Sequence, residues 1–158
     1  EINSGLAFIS GLDRSNRAVI YIDVIHFDKH TRDLDSTTHF AILVIAEAIK
    51  VSQKHNMEQV TFVFDLKHFG VKTMDYSLVK NLLFLLSNAF PERTAYMLIV
   101  GAPLVFKSFW AAIKPWIDEG TAKKIRFPTQ VELLTYVDSA NLPNQLEGSV
   151  EFKPVVQV

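Results

Sequence analysis

The sequence predicts an α/β fold built on parallel strands, and three observations carry that prediction. Short β-branched and aromatic runs alternate with longer helix-periodic segments, in the order β-α-β-α-β-α-β-α. Two of the runs, VTFVFDL at 60–66 and AYMLIV at 95–100, are apolar almost throughout, as strands buried on both faces are. The 158 residues are 49% apolar and 21% charged, which suffices for one core and is too apolar for disorder. Strands alternating with helices join by right-handed crossovers, which makes them parallel.

Each element follows in order. Residues 1–11 are mixed, and no element is assigned to them. LDRSNR at 12–17 is a polar turn, and the β-branched run 18–24 is the first strand. After a charged loop at 28–35, Ser36 or Thr37 caps a helix reaching about residue 56. Its apolar arc through 40–49 is broad, as burial between a sheet and a second layer requires. Residues 60–66 are the second strand. Residues 75–90 form a helix with Leu78, Leu82, Leu85, Leu86 and Ala89 on its apolar side. After a turn at Pro91, residues 95–100 are the third strand, stopped by Gly101 and Pro103. Residues 104–117 are a third helix, broken near Pro115. One more helical turn at 121–124, a short strand at 125–127 and a helix at 130–137 follow. Residues 138–143 lead into an extended tail.

Composition excludes several function classes. Lys plus Arg is 16 against 17 Asp plus Glu, a net charge of −1 and no basic footprint for nucleic acid. With no cysteine there is no disulfide framework, thiolate nucleophile or Cys-based zinc site. Apolar runs such as 40–46 and 82–86 are far short of the ~20 residues of a membrane span, and no signal-peptide pattern is present. The first residue is Glu1, so the chain reads as part of a longer or processed polypeptide. The glycine signatures of dinucleotide sites and phosphate loops are absent, as is the G-x-S-x-G of a hydrolase elbow. His26 and His30 flank a strand end and read as surface histidines rather than metal ligands. Asp65 ends the second strand, and with no nucleophile or base beside it reads as a loop-capping carboxylate.

Phe106, Phe109, Trp110, Ile113, Trp116 and Ile117 recur at spacings of three, four and seven and form one aromatic stripe on the third helix. An ordinary helix packed on a sheet explains such a stripe. Its aromatic character, with both tryptophans, also suits a water–lipid boundary, and Pro115 separates two segments able to move independently. The stripe is therefore taken as a gate with one face towards a membrane.

Residues 90–127, FPERTAYMLIVGAPLVFKSFWAAIKPWIDEGTAKKIRF, resemble the CRAL-TRIO lipid-binding domain family of phosphatidylinositol/phosphatidylcholine transfer proteins and retinal- or tocopherol-binding proteins. Phe90-Pro91-Glu92-Arg93, Ala102-Pro103, Lys114-Pro115-Trp116, Thr121 and Lys124-Ile125 match the family's pattern in order and spacing. Asn16-Arg17-Ala18-Val19, Asp65-Leu66-Lys67 and Asn141-Leu142-Pro143 with Gly148 extend the likeness across nearly the whole chain. Gly101 replaces the Asn of the family's Asn-Ala-Pro, and Ser149 the second Gly of its closing pair.

The resemblance implies a mixed, mostly parallel sheet flanked by helices, over residues 1–158 as a single domain without the small helical lobe that precedes it in the family. An apolar pocket would lie under the gating helix, with Ile20, Val60, Phe62, Phe64 and Leu98 in its floor. It implies Glu92 and Lys124 as head-group residues, Lys donating to phosphate oxygens and Glu accepting from inositol hydroxyls. Apolar Ile20, Val60 and Phe62 stand where choline-lipid binders carry polar groups, which argues against phosphatidylcholine as a counter-ligand. The expected protein is no enzyme and needs no cofactor beyond a bound lipid. It carries phosphatidylinositol between membranes or presents it, is cytoplasmic and peripheral, touches a membrane surface transiently, does not bind nucleic acid, and takes protein partners through segments outside this chain. A carrier of a sterol or retinoid, and a protein-interaction domain of the same fold without lipid exchange, are the alternatives.

Overall fold

A computed structural model describes residues 6–151 of the chain. Its five strands lie in sequence order, β1 (Ala7–Leu12), β2 (Ala18–Asp23), β3 (Val60–Asp65), β4 (Thr94–Val100) and β5 (Ile125–Arg126). β1 pairs antiparallel with β2, and every later pair is parallel. β1 was not assigned from the sequence, because Ser10 and Gly11 interrupt the apolar run and a register shift falls between Ile9 and Gly11.

Parallel strands in unbroken sequence order, joined by crossovers of one hand, put every crossover helix on the same face. α1 (Leu34–Gln53) returns from β2 to β3, and α2 (Tyr76–Asn88) from β3 to β4. α3 (Phe106–Ile113), a 3-10 turn at Lys114–Trp116 and α4 (Glu119–Ala122) lead from β4 to β5. On that face Phe40, Val44, Ile45 and Ala48 of α1 and Leu85 of α2 pack on Ile20, Phe62 and Met97. α5 (Gln130–Tyr136) follows β5 and crosses to the other face, where Leu133, Val137, Leu142 and Leu146 close over Phe8, Val19, Tyr21, Val63 and Leu98.

Local chemistry sets the ends of the elements. α1 is capped by Asp33, whose carboxylate takes the Ser36 amide, so the helix opens ahead of the Ser36 or Thr37 cap expected from sequence. Pro115 stops α3 because it has no amide for the next helical bond, and the chain tightens into the 3-10 turn. Gly101 sits at φ 68°, a left-handed conformation that Gly and Asn tolerate best; this is the physical reason either residue serves ahead of Ala102-Pro103. The expected extended tail is, as far as residue 151, a 3-10 turn at Asn144–Leu146 and a bridge between Pro143 and Val150. A Cβ at Gly148 would lie 2.0 Å from the Leu142 carbonyl oxygen, so only glycine closes this turn. Residues 152–158 lie outside the described part.

Candidate functional site

The sheet face that carries α1, α2 and α3 is not filled. A cavity of about 240 Å³ lies between them. That exceeds the roughly 150 Å³ of an engineered apolar cavity that stays dry and takes up benzene. Its lining is almost wholly apolar: Ile20, Ile22, Phe62, Phe64, Met97 and Ile99 from the strands, Phe40 and Val44 from α1, Leu82 and Leu86 from α2. Among the described residues the polar members of the lining are Thr37, Thr73 and Asp75.

The strands decide which of the expected floor residues reach the cavity. Ile20, Phe62 and Phe64 line it. Leu98 does not: it pairs with Val63, and both point into the packed core beneath α5. The cavity face of β4 is carried by Met97 and Ile99, the partners of Phe62 and Phe64. Val60 is on the cavity side of the sheet, but in the packed core and outside the lining. A strand buried on both faces carries no polar residue to mark its parity, so register and not composition assigns it.

The aromatic stripe of α3 also needs correction. Phe106, Phe109 and Ile113 are buried, with their side chains in the cavity wall and against Leu66 and Phe69. Phe69 meets the Phe106 ring edge-on at 5.2 Å and the Phe109 ring at 5.2 Å. Trp110 and Ile117 are half-buried and line the same cavity. The exposed side of α3 is instead Lys107, Ser108, Ala111 and Ala112. The stripe thus faces inward rather than towards a membrane, because withdrawing each Phe or Ile from water is worth about 1.5–3 kcal/mol and the sheet offers the nearest apolar surface. Trp116 alone is substantially exposed. Its ring contacts Tyr76 at 5.9 Å and takes the Lys80 ammonium at 4.6 Å, which fastens the end of the stripe to α2.

Glu92 and Lys124 come together although 32 positions separate them. Both precede strands at the same edge of the sheet, Glu92 ahead of β4 and Lys124 ahead of β5. Lys124 Nζ lies 4.0 Å from Glu92 Oε2. That gap is the outer limit of an ion pair and too long for a hydrogen bond, so both groups keep their capacity for other partners. They border a second, polar hollow of about 180 Å³ with Ser87, Thr94, Asp118 and Thr121. Leu86 lines both hollows, so the polar one adjoins the apolar one. Thr121 donates through its hydroxyl and its amide to Asp118, at 2.6 and 3.1 Å, and these two bonds hold the Asp118 carboxyl below the usual range. Glu92 itself is at φ 59°. Pro91 followed by a left-handed residue is the order of a type II turn, whose left-handed position suits glycine, and a Glu there is strained by about 1–2 kcal/mol.

Two groups escaped sequence reasoning. Arg32 and Asp75 form a fork at the opposite end of the cavity, with Nε–Oδ2 at 2.7 Å and Nη2–Oδ1 at 3.0 Å. Neither stands in a recognisable motif, and only the fold brings the loops before α1 and α2 together. Asp65 acts as the loop-capping carboxylate read from the sequence, accepting from the Lys67 amide at 3.1 Å and from the Tyr21 hydroxyl at 2.9 Å. Burial, and then the Asp65 charge, push the Tyr21 phenol far above its ordinary pKa.

Known proteins share this architecture. The crystal structure of Sfh5 superposes with a TM-score of 0.65 at 21% identity, over 77% of this chain and 47% of that one, a likeness of fold. The chain is 28% identical over 153 residues to the phosphatidylinositol transfer protein CSR1 of Eremothecium gossypii, covering 96% of this chain and 35% of that protein. It is 32% identical over 96 residues to the phosphatidylinositol/phosphatidylcholine transfer protein SFH7 of Arabidopsis thaliana, covering 57% of this chain and 18% of that protein. The chain thus spans about a third of the length of the first of these relatives. The family model described as the CRAL/TRIO domain matches residues 2–148. With that match running across nearly the whole sequence, the chain belongs to the CRAL/TRIO domain family.

Proposed function

We propose that the chain is a lipid carrier that encloses the acyl part of phosphatidylinositol in the cavity under α3 and holds its head group at Glu92 and Lys124. The observation that carries this is a charged hollow that adjoins one end of an apolar chamber, with Leu86 lining both. The relatives named as phosphatidylinositol and phosphatidylinositol/phosphatidylcholine transfer proteins support the choice of ligand. So does the strained Glu92 backbone, a conformation kept where a carboxylate must point into the hollow. Residues 1–158 act in this reading as one lipid-binding domain, and the work is transfer or presentation of a lipid rather than catalysis at a membrane surface. No helix among the described residues is long and apolar enough to cross a membrane.

The energetics favour selection by the head group. A buried acyl methylene gains about 0.8 kcal/mol against water, but a bilayer offers the tails the same gain. Exchange of tails between bilayer and cavity is therefore nearly balanced. The charge-assisted bonds of the head group, roughly 1.5–3 kcal/mol each, decide which lipid is kept. One such bond is worth tenfold or more.

The test is native mass spectrometry of the gently purified chain, with extraction and identification of whatever lipid leaves it. Stoichiometric phosphatidylinositol is expected. Lys124→Ala and Glu92→Gln should each lower its share at least tenfold against a competing neutral lipid while the thermal melt stays within a few degrees. An uncharged lipid bound equally by parent and variants would remove the head-group assignment. A chain that stays empty after incubation with mixed liposomes would favour the protein-interaction reading.

A further inference from the structure

The loops at the carboxyl ends of β2, β3 and β4 form one rim. The Lys29 amide donates to the Lys72 carbonyl at 2.9 Å, and the Arg32–Asp75 fork ties the same two loops. Gly101 lies against the Lys67 backbone, and Phe69 packs on Phe106, which ties the second loop to the third. At the crest of these three loops stand Ile25, Val71 and Leu104, exposed by 51%, 67% and 79%. An exposed aliphatic side chain is ordinary when alone; one on each of three stitched loops is a patch.

The exposed charges of the second and third loops have one sign. Lys67, Lys72 and Lys107 are exposed, and none of them is ion-paired among the described residues. The acids of all three loops accept hydrogen bonds, and those left at the surface, Asp28 and Asp33, belong to the first loop. Asp23 and Asp65 are buried and accept backbone amides, Asp28 accepts from the His30 amide at 2.9 Å, Asp33 caps α1, and Asp75 holds Arg32. Apolar side chains flanked by unpaired lysines on two of the three loops are complementary to an anionic lipid surface, which takes the aliphatic groups below its head groups and the ammonium groups at them.

We infer that this rim, and not the aromatic stripe of α3, is the surface that docks on an anionic membrane. The inference rests on the lipid-carrier reading and gives it a direction. Val24, Phe27, Leu66 and Phe69 of the rim loops line the near end of the cavity, while Glu92 and Lys124 lie at the other edge of the sheet. A lipid held with its head group at Glu92 and Lys124 has its tails towards the rim, the orientation of a lipid in the leaflet beneath. It therefore leaves and returns without being inverted.

The experiment is sedimentation of the chain with phosphatidylcholine vesicles, with and without a minor fraction of phosphatidylserine, alongside native mass spectrometry of the same samples. Ile25→Ser, Val71→Ser and Leu104→Ser combined should lower vesicle binding at least tenfold and leave the bound lipid in place. Lys67→Ala, Lys72→Ala and Lys107→Ala combined should abolish the preference for phosphatidylserine and flatten the salt dependence. Phe84→Ser with Val131→Ser removes two equally exposed apolar groups on α2 and α5 and should change nothing. Rim variants that bind vesicles like the parent, a control that falls as far as they do, or a parent that binds no vesicle would overturn the assignment. A parent that docks through the rim yet never carries lipid would uphold the rim and overturn the carrier reading.

Discussion

Asp75 does two jobs with one carboxylate. It accepts from the Leu78 amide at 3.1 Å, which caps α2, and it takes both arms of the Arg32 fork, which joins the loops before α1 and α2. Burial pushes its carboxyl up, but the Arg32 guanidinium and the Leu78 amide outweigh burial and hold it below the usual aspartate range. A folded-state value below the unfolded one means that the unfolded chain binds more protons in acid. The contribution is complete above the ordinary value of about 3.9 and is lost as pH falls through the depressed folded value. Asp75→Asn should keep most of the cap and lose the charge. At neutral pH it should lower stability by about 2 kcal/mol in urea unfolding, and the gap to the parent should close below about pH 4. A gap that stays constant with pH would assign the effect to side-chain shape. Nothing in the sequence marks this pair. Arg32 lies in a charged loop, and its partner is 43 positions away.

In the proposed carrier α3 is the element that would uncover the cavity; Phe109 holds it to Tyr76 of α2 at 5.0 Å, and the turn that follows it adds a second, exposed hold. The Trp116 ring on Tyr76 and the Lys80 ammonium over Trp116 are together worth on the order of 1–2 kcal/mol at such an exposed place. Trp116→Ala should therefore raise the open population by up to about tenfold. The expected outcome is faster lipid exchange between vesicles, followed by fluorescence dequenching, with equilibrium loading little changed. Slower exchange would place the opening at another element. The sequence foretold the helix, its break at Pro115 and its aromatic stripe, but not the medium the stripe faces. Helical periodicity states that one side is buried; the neighbour that buries it is a property of the sheet, through Leu66 and Phe69. The same limit placed Leu98 in the floor. AYMLIV is apolar at every position, and only the pairing of Met97 with Phe62 shows which alternate residues reach the cavity.

At the scale of the whole molecule, the single direction of winding makes the two sheet faces unlike. One face is covered by α5, where Val63, Leu98, Leu133 and Val137 are fully buried, and the other leaves the cavity open under α1, α2 and α3. Alternation of strand and helix sufficed to read the fold class, because the order of elements is local information. The chamber is not local: it is the volume that three helices fail to fill. This asymmetry predicts two responses to truncation. Leu98→Ala removes three carbon atoms from the packing of the sealed face and should cost about 3 kcal/mol. Ile22 is half-buried and borders a space that already exists, so in the lipid-free chain Ile22→Ala should cost less, about 2 kcal/mol. Lipid that binds only the folded chain adds about 2.7 kcal/mol at a hundredfold excess over its dissociation constant. Ile22 touches the chamber and Leu98 does not, so loading should deepen the Ile22→Ala defect and leave the Leu98→Ala defect unchanged to within about 0.5 kcal/mol. Urea unfolding of both variants, each with and without extracted lipid, measures the four values. If loading shifted the Leu98→Ala defect as well, the sheet would be transmitting occupancy from one face to the other instead of separating them.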